Sequence, residues 1–281
     1  MSPAVVAHHA EIALRRAPDL ACIVDLQGAK MRLGFFDAQE VHAGQELWFS
    51  ESAVSEGADL PLPHPELYAA VSPGEFLTID DGKLEVAVER IEPKRLSVRV
   101  VRGGWIRPRK GINRQTHPID PGSLCETDRA VIRACRHLDG IEYAISFISD
   151  GREAEWVRAL TPSRVILKIE RDESIRSLLT TSARSDEVWI CRGDLGAQLG
   201  LNAMARAVHD IDPGDLDVPV LLAGQVLEHL THEVEPTRSE VCHLYDVIAR
   251  GFSGIVLSDE TAIGINPENA VRWAARLLRE L

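Results

Sequence analysis

Val165-Ile-Leu-Lys168-Ile-Glu170 and Val188-Trp-Ile-Cys-Arg192-Gly193-Asp194-Leu-Gly196 decide the fold of this chain. Each is a short apolar run that ends in ionisable residues, the pattern of a strand buried on both faces with charge at its C-terminal end. In parallel α/β proteins ligands bind at that end of the sheet, so Lys168, Glu170 and Asp194 are expected to share one rim. Two carboxylates with a lysine between them suit a hard divalent cation held by oxygen ligands, with the ammonium facing an anionic substrate. A surface salt-bridge cluster fits the same three residues.

Outward from these strands a helix–strand alternation continues to the end of the chain. Apolar runs predict strands at about 141–146, 164–169, 187–191, 218–222 and 254–258, and helical spacing predicts helices at about 126–138, 151–160, 171–182, 199–210, 237–250 and 267–281. Upstream, Leu20–Asp25 is a further buried strand, and the spacing within Val5–Arg16 predicts a helix that Pro18 stops. About six βα strands are two short of a closed eight-stranded barrel. The α/β pattern fits a partial (β/α)8 barrel of the TIM type or an open six-stranded sheet, and rim charges on successive strands favour the barrel.

Between Lys30 and Lys110 the character changes. Leu84-Glu-Val-Ala-Val-Glu-Arg-Ile91 and Leu96-Ser-Val-Arg-Val100 alternate apolar and polar residues on either side of Glu92-Pro-Lys-Arg95, which predicts half-buried antiparallel strands. The expected organisation is residues 1–29 as the first part of a barrel domain, 30–110 as an inserted β-rich lid, itself a small β-barrel, and 111–281 as the remainder of the barrel domain.

The chain has 281 residues, 45% of them hydrophobic and 26% charged, as in ordinary globular enzymes. A formal net charge of −12 argues against nucleic acid as a partner, because phosphate binding needs a basic face, and means that an anionic substrate must find local positive charge or a metal. Cys22, Cys125, Cys135, Cys191 and Cys242 are scattered without a CxxC spacing, which suits reduced thiols and a cytoplasmic location. No signal-like segment and no apolar run near the roughly 18 residues of a membrane span is present in this sequence, so no membrane partner is expected. His8, His9, His229, His232 and His243 lack metal-ligand spacing and are expected at the surface or in packing.

The rim residues, the inserted β domain and their order together resemble the pyruvate kinase family. The similarity covers almost the whole chain. Asp25-Leu-Gln-Gly28-Ala-Lys-Met-Arg32 is similar to the family's strand-to-lid junction, Ile79-Asp80-Asp81-Gly82 to its lid turn, Lys110-Gly-Ile-Asn113 to the return from the lid, and Ser146-Phe147 to the next strand end. Lys168-Ile-Glu170, Arg192-Gly-Asp-Leu-Gly196, Gln225-Val-Leu-Glu228, Pro236-Thr-Arg238-Ser-Glu240 and Leu257-Ser258-Asp-Glu260-Thr-Ala262 follow in the family's order.

The resemblance implies that Glu170 and Asp194 hold Mg²⁺ (or Mn²⁺) at an enolpyruvate, with Lys168 beside the transferring phosphoryl group. It implies substrate contacts from Arg32, Lys110, Gly193, Asp194 and the segment of Gly224, and a proton relay at Ser258 and Glu260. Simpler uses stand beside these: Asp80 and Asp81 also fit a turn before Gly82, Ser258 a strand-end cap, Asp25 a plain strand-end carboxylate, and Arg238 a loop anchor or interface residue.

The sequence departs from the family pattern at several positions. Leu26 stands where the family has a threonine ligand for K⁺, leaving only Asp25 of that site, so K⁺ binding is not expected. Gly224 stands where the family has a threonine near the protonated face of the enolate, and Asp259 replaces a glycine. The resemblance begins after the family's first two strands, one of which carries a phosphate-binding arginine, and stops after the last barrel helix. The expectations are therefore no control by sugar phosphates, and a second copy or a partner chain that completes the sheet.

Three functions follow from the resemblance. The first is phosphoryl transfer between phosphoenolpyruvate and ADP, in keeping with charge stabilisation by a metal and an ammonium. The second is a Mg²⁺-dependent lyase or aldolase acting on pyruvate enolate or a related 2-oxo acid without a kinase step, favoured by the vacant position 224. The third is a non-catalytic subunit.

Overall fold

The computed structural model describes residues 2–51, 59–80, 82–114 and 122–280, which pack into two compact units. Asp81 of the expected lid turn and the Asp120-Pro121 turn lie outside the described residues. The first unit comprises residues 1–28, 123–195 and 204–281, and the second comprises 29–122 with 196–203. Ile112–Arg114 forms a strand antiparallel to Phe76–Ile79 within the second unit.

The first unit is built on a six-stranded parallel sheet in sequential order, the partial barrel with βα rhythm read from the sequence. Its strands are β1 (Cys22–Leu26), β2 (Ile141–Ile145), β3 (Val165–Ile169), β4 (Glu187–Cys191), β5 (Val220–Ala223) and β6 (Gly254–Val256). The register aligns Asp25 with Ala144, Ala144 with Ile166, Lys168 with Trp189, and Cys191 with Ala223. Side chains alternate between faces along a strand, so Ala144, Ile166, Trp189, Cys191 and Ala223 share one face, where they form a single apolar cluster. The opposite face presents Val24 and Leu26, Tyr143 and Ile145, Val165 and Leu167, Val188 and Ile190, all buried.

Helices follow the strands as the periodicity predicts, with two differences. Residues 171–182 form two short helices, Asp172–Arg176 and Leu178–Ser182, interrupted at Ser177, whose hydroxyl donates back to the Glu173 carbonyl. The run through Arg192-Gly-Asp194-Leu-Gly196 does not continue the strand: β4 ends at Cys191 and a helix, Arg192–Leu199, begins at once. The segment Pro236-Thr-Arg-Ser-Glu240 is a capping box, in which the Thr237 hydroxyl accepts the Glu240 N–H and the Glu240 carboxylate accepts the Thr237 N–H.

The second unit holds a six-stranded sheet whose centre is the antiparallel pair Leu84–Glu92 and Arg95–Arg102, with Lys94 in the left-handed region at the turn. Its core gathers Leu47, Phe49, Leu77, Val86, Leu96 and Val98 from the inward positions of alternating strands.

Candidate functional site

Four successive strands of the first unit end in residues that continue the apolar face of the sheet: Asp25 in β1, Ser146 after β2, Lys168 and Glu170 at the end of β3, and Cys191 in β4. The Lys168 ammonium is the hub. Nζ donates to Asp25 Oδ2 at 3.0 Å and Oδ1 at 3.2 Å, to Ser146 Oγ at 2.9 Å, and faces Glu170 Oε1 at 3.3 Å. Ser146 Oγ in turn donates to Asp25 Oδ1 at 3.1 Å. Burial works to deprotonate Lys168, but the Glu170 and Asp25 charges and the hydrogen bond to Asp25 overcome it, so its pKa is raised.

Glu170 is nearly fully buried and its other oxygen, Oε2, accepts the Phe147 N–H at 2.7 Å. Phe147 holds that N–H in place from the left-handed region, at φ 60°, a conformation costing about 1 kcal/mol or more for a residue with a Cβ. The fully buried Arg171 donates to the Phe147 carbonyl at 3.2 Å and pairs with Glu173, fixing the same peptide from its other side.

Asp194 is buried in the first turn of helix Arg192–Leu199. Burial raises the pKa of the Cys191 thiol well above its usual value, the charges of Glu170, Asp194 and Asp25 raise it further, and the Lys168 ammonium opposes them. Among the described residues no group of three or more His, Cys, Asp or Glu is gathered as a metal centre. Two buried carboxylates nevertheless fit Mg²⁺, which is commonly held by one or two carboxylates with water and substrate oxygens completing the shell.

Gly193 and Gly224 approach closely: a Cβ on Gly224 would stand 3.3 Å from the Gly193 nitrogen, and Gly224 has φ 84°. A threonine at this position would be strained. Arg192 turns away from the Lys168 cluster and donates to the carbonyls of Gly224, at 2.9 and 2.5 Å, and Gln225, at 2.8 Å. Glu260 is fully buried and its oxygens accept backbone N–H groups from Leu227 at 3.3 Å and Ser258 at 2.7 Å. It therefore ties the segment after β5 to the segment after β6. Ser258 is exposed at the start of the short helix Asp259–Ala262.

Arg32 and Lys110 lie in the second unit. Leu33 N–H donates to the Lys110 carbonyl at 2.9 Å, Arg32 donates to the Arg109 carbonyl at 3.1 Å, and Lys110 pairs with the buried Asp80 at 2.8 Å. The backbone N–H of Arg32 is received by His64 Nε2 at 2.8 Å, which leaves the His64 proton on Nδ1 facing Glu66.

Sequence reasoning missed Asp128 and Arg171. Asp128 is buried and its two oxygens accept the N–H groups of Gln27 and Gly28 at 2.9 and 2.8 Å, shaping the turn after Asp25. Gly28 there has φ 57° and a Cβ would lie 1.8 Å from the Ser146 carbonyl oxygen, so only glycine fits. The one local signal for Asp128 was an acidic residue in the first turn of a predicted helix.

Residues 3–271 match the pyruvate kinase barrel domain. The pyruvate kinase of Methylorubrum extorquens is 30% identical over 269 residues, covering 93% of this chain and 56% of that protein. One from Agrobacterium vitis is 30% identical over 290 residues, covering 98% and 60%. The crystal structure of pyruvate kinase from Pyrobaculum aerophilum superposes with a TM-score of 0.85 at 28% identity, covering 100% of this chain and 65% of that one. The chain spans somewhat over half the length of the curated relatives it matches, and it belongs to the pyruvate kinase family.

Proposed function

We propose that the chain handles phosphoenolpyruvate and the pyruvate enolate in a Mg²⁺-dependent phosphoryl transfer with ADP. The observation that carries this reading is the Lys168 ammonium, fixed by Asp25, Ser146 and Glu170 on the rim that also carries Asp194. Glu170 and Asp194 would hold Mg²⁺ or Mn²⁺, which when bound supplies Lewis-acid charge at the oxygen where enolate charge develops. Lys168 stays protonated at neutral pH, and its preset ammonium neutralises charge on phosphoryl oxygens without reorganisation in the transition state. Gly193 lacks a Cβ and sits with Asp194 at a helix N-terminus, where backbone N–H groups receive the substrate carboxylate. Arg32 and Lys110 of the second unit are, by the resemblance, the basic residues for phosphate and nucleotide. Glu260 acts as a positioning residue, because both its oxygens are engaged by backbone, and Ser258 remains the exposed hydroxyl for proton relay.

Thermal unfolding with Mg²⁺ and oxalate, an enolate mimic, tests the binding half of this reading. A rise of several degrees is expected for the unaltered chain and its loss in Glu170→Gln and Asp194→Asn. No rise in the unaltered chain would favour a non-catalytic subunit.

A second reading is favoured by Gly224, which has no side-chain hydroxyl and whose φ of 84° disfavours any residue that would bring one. A missing acid or hydrogen-bonding group costs about 10²–10⁴ in rate, and an enolate that is slow to take a proton is available to another electrophile, as in a lyase or aldolase. Exchange of pyruvate methyl protons into D₂O with Mg²⁺, without any phosphoryl transfer, is its expected signature, and absence of exchange removes it.

A further inference from the structure

Backbone alternation gives Arg32 an edge of its own in the second unit. Met31–Leu33 runs antiparallel to Lys110–Ile112: Leu33 N–H donates to the Lys110 carbonyl at 2.9 Å, Ile112 N–H donates to the Met31 carbonyl at 3.0 Å, and Arg32 stands opposite Gly111. Successive residues of an extended chain turn their polar groups to opposite sides, so the N–H and C=O of Arg32 face away from Lys110–Ile112. There they meet one side chain. His64 Nε2 lies 2.8 Å from the Arg32 nitrogen and 3.1 Å from the Arg32 oxygen. Close by, Gly34 N–H donates to the Pro61 carbonyl at 2.7 Å and ties the same edge to the segment that carries His64.

The imidazole is itself fixed. Its side chain is 13% exposed, and Nδ1 lies 3.0 Å from Glu66 Oε1 across Pro65, whose ring restricts the backbone on both sides. The hydrogen bond from His64 holds the Glu66 carboxyl below its usual range, against the effect of burial. An ionised carboxylate only accepts, so the ring proton sits on Nδ1 and the Nε2 lone pair receives the Arg32 N–H. The opposite tautomer would set two donors against each other. At the far end of Arg32, Nη1 donates to the Arg109 carbonyl at 3.1 Å, and no carboxylate pairs with this guanidinium among the described residues. Arg32 is thus anchored by uncharged groups at its backbone and at its tip, with its charge uncompensated.

We propose, resting on the reading of Arg32 and Lys110 given above, that His64 is a positioning residue for the nucleotide. Held in one tautomer by Glu66, it fixes the peptide from which the Arg32 guanidinium reaches a diphosphate, while Asp80 holds Lys110 at 2.8 Å.

Nitrogen-15 NMR of the unaltered chain, first alone and then titrated with ADP without metal or phosphoenolpyruvate, reads both parts. The His64 ring is expected to carry its proton on Nδ1 with Nε2 bare, and ADP to move the Arg32 amide and Nε–H resonances saturably. His64→Leu removes the acceptor and should weaken ADP about tenfold, the scale of one hydrogen bond. His64→Gln offers Oε1 where Nε2 stood and should recover most of that loss. Glu66→Ala keeps the ring but frees its tautomer, so it should also weaken ADP, and it serves if His64→Leu does not fold. Resonances of the first unit should stay in place in all three variants, as a general loss of fold would not allow. A ring protonated at Nε2 and bare at Nδ1, ADP bound undiminished by the folded His64→Leu or Glu66→Ala variant, or His64→Gln no better than His64→Leu would overturn the proposal and leave the assignment of Arg32 standing. Arg32 resonances unmoved by ADP in the unaltered chain would overturn that assignment and the proposal together. Neither result bears on the rim, which Mg²⁺ with oxalate tests separately.

Discussion

A lysine ammonium held among Asp25, Ser146 and Glu170 costs desolvation to build and more to break, because its removal leaves Glu170 buried without its cation. Lys168→Met is expected to destabilise the first unit by about 3 kcal/mol in urea unfolding. The sign of the pH dependence follows from a pKa raised on folding: the stabilisation is fully present below the unfolded lysine pKa of about 10.4 and declines as pH rises beyond it. The difference between the unaltered and Lys168→Met proteins should therefore be constant through neutral pH and shrink only above about pH 10. At Gly224 the expected cost has a different origin. Gly224→Thr puts a β-branched residue at φ 84° with its Cβ against the Gly193 nitrogen, and should destabilise by about 1–2 kcal/mol or displace the loop, visible as loss of stability without recovery of proton transfer.

At the scale of elements, the connections between strands hold the rim. Asp186 closes the approach to β4 by accepting the Val165 N–H at 2.8 Å and the Arg158 guanidinium at 2.9 Å. Burial raises its pKa, but these hydrogen bonds and the charges of Arg158 and Arg164 prevail and the pKa is lowered. Its contribution is present above the unfolded aspartate pKa of about 3.9 and is lost as pH falls through the lower folded value, so Asp186→Asn should flatten the acid limb of a stability curve below about pH 4. Glu260→Ala strands the N–H groups of Leu227 and Ser258, and about 2 kcal/mol of stability with faster amide exchange at both residues is expected. The strands were legible in the sequence because burial on both faces writes continuous apolar runs such as Val165–Leu167. The helix Arg192–Leu199 was not, since two glycines and an arginine give it no periodic stripe and its start is dictated by the preceding strand. Lys168, Glu170 and Asp194 were visible as charges ending apolar runs. Asp128 was hidden because its partners, Gln27 and Gly28, lie about a hundred residues away in sequence.

At the scale of the whole molecule, β1 and β6 each have one strand neighbour, so the parallel sheet presents two open edges among the described residues. Ile23 on β1 and nearby Leu20 are exposed. Open parallel edges with apolar flanks favour pairing with further strands. Light scattering at micromolar concentration is expected to give a mass above the 31.0 kDa of one chain, and a stable monomer would contradict strand completion by a second copy. The family assignment rests on the match of residues 3–271 to the barrel domain and on the similar relatives, and the proposed chemistry rests on the Lys168 rim. A phosphorus and proton NMR time course of phosphoenolpyruvate with Mg²⁺, with and without ADP, tests that chemistry most directly. ADP-dependent loss of phosphoenolpyruvate with matching pyruvate and ATP, abolished in Lys168→Met, is the predicted result. Unchanged phosphoenolpyruvate with ADP and Mg²⁺ present would contradict it.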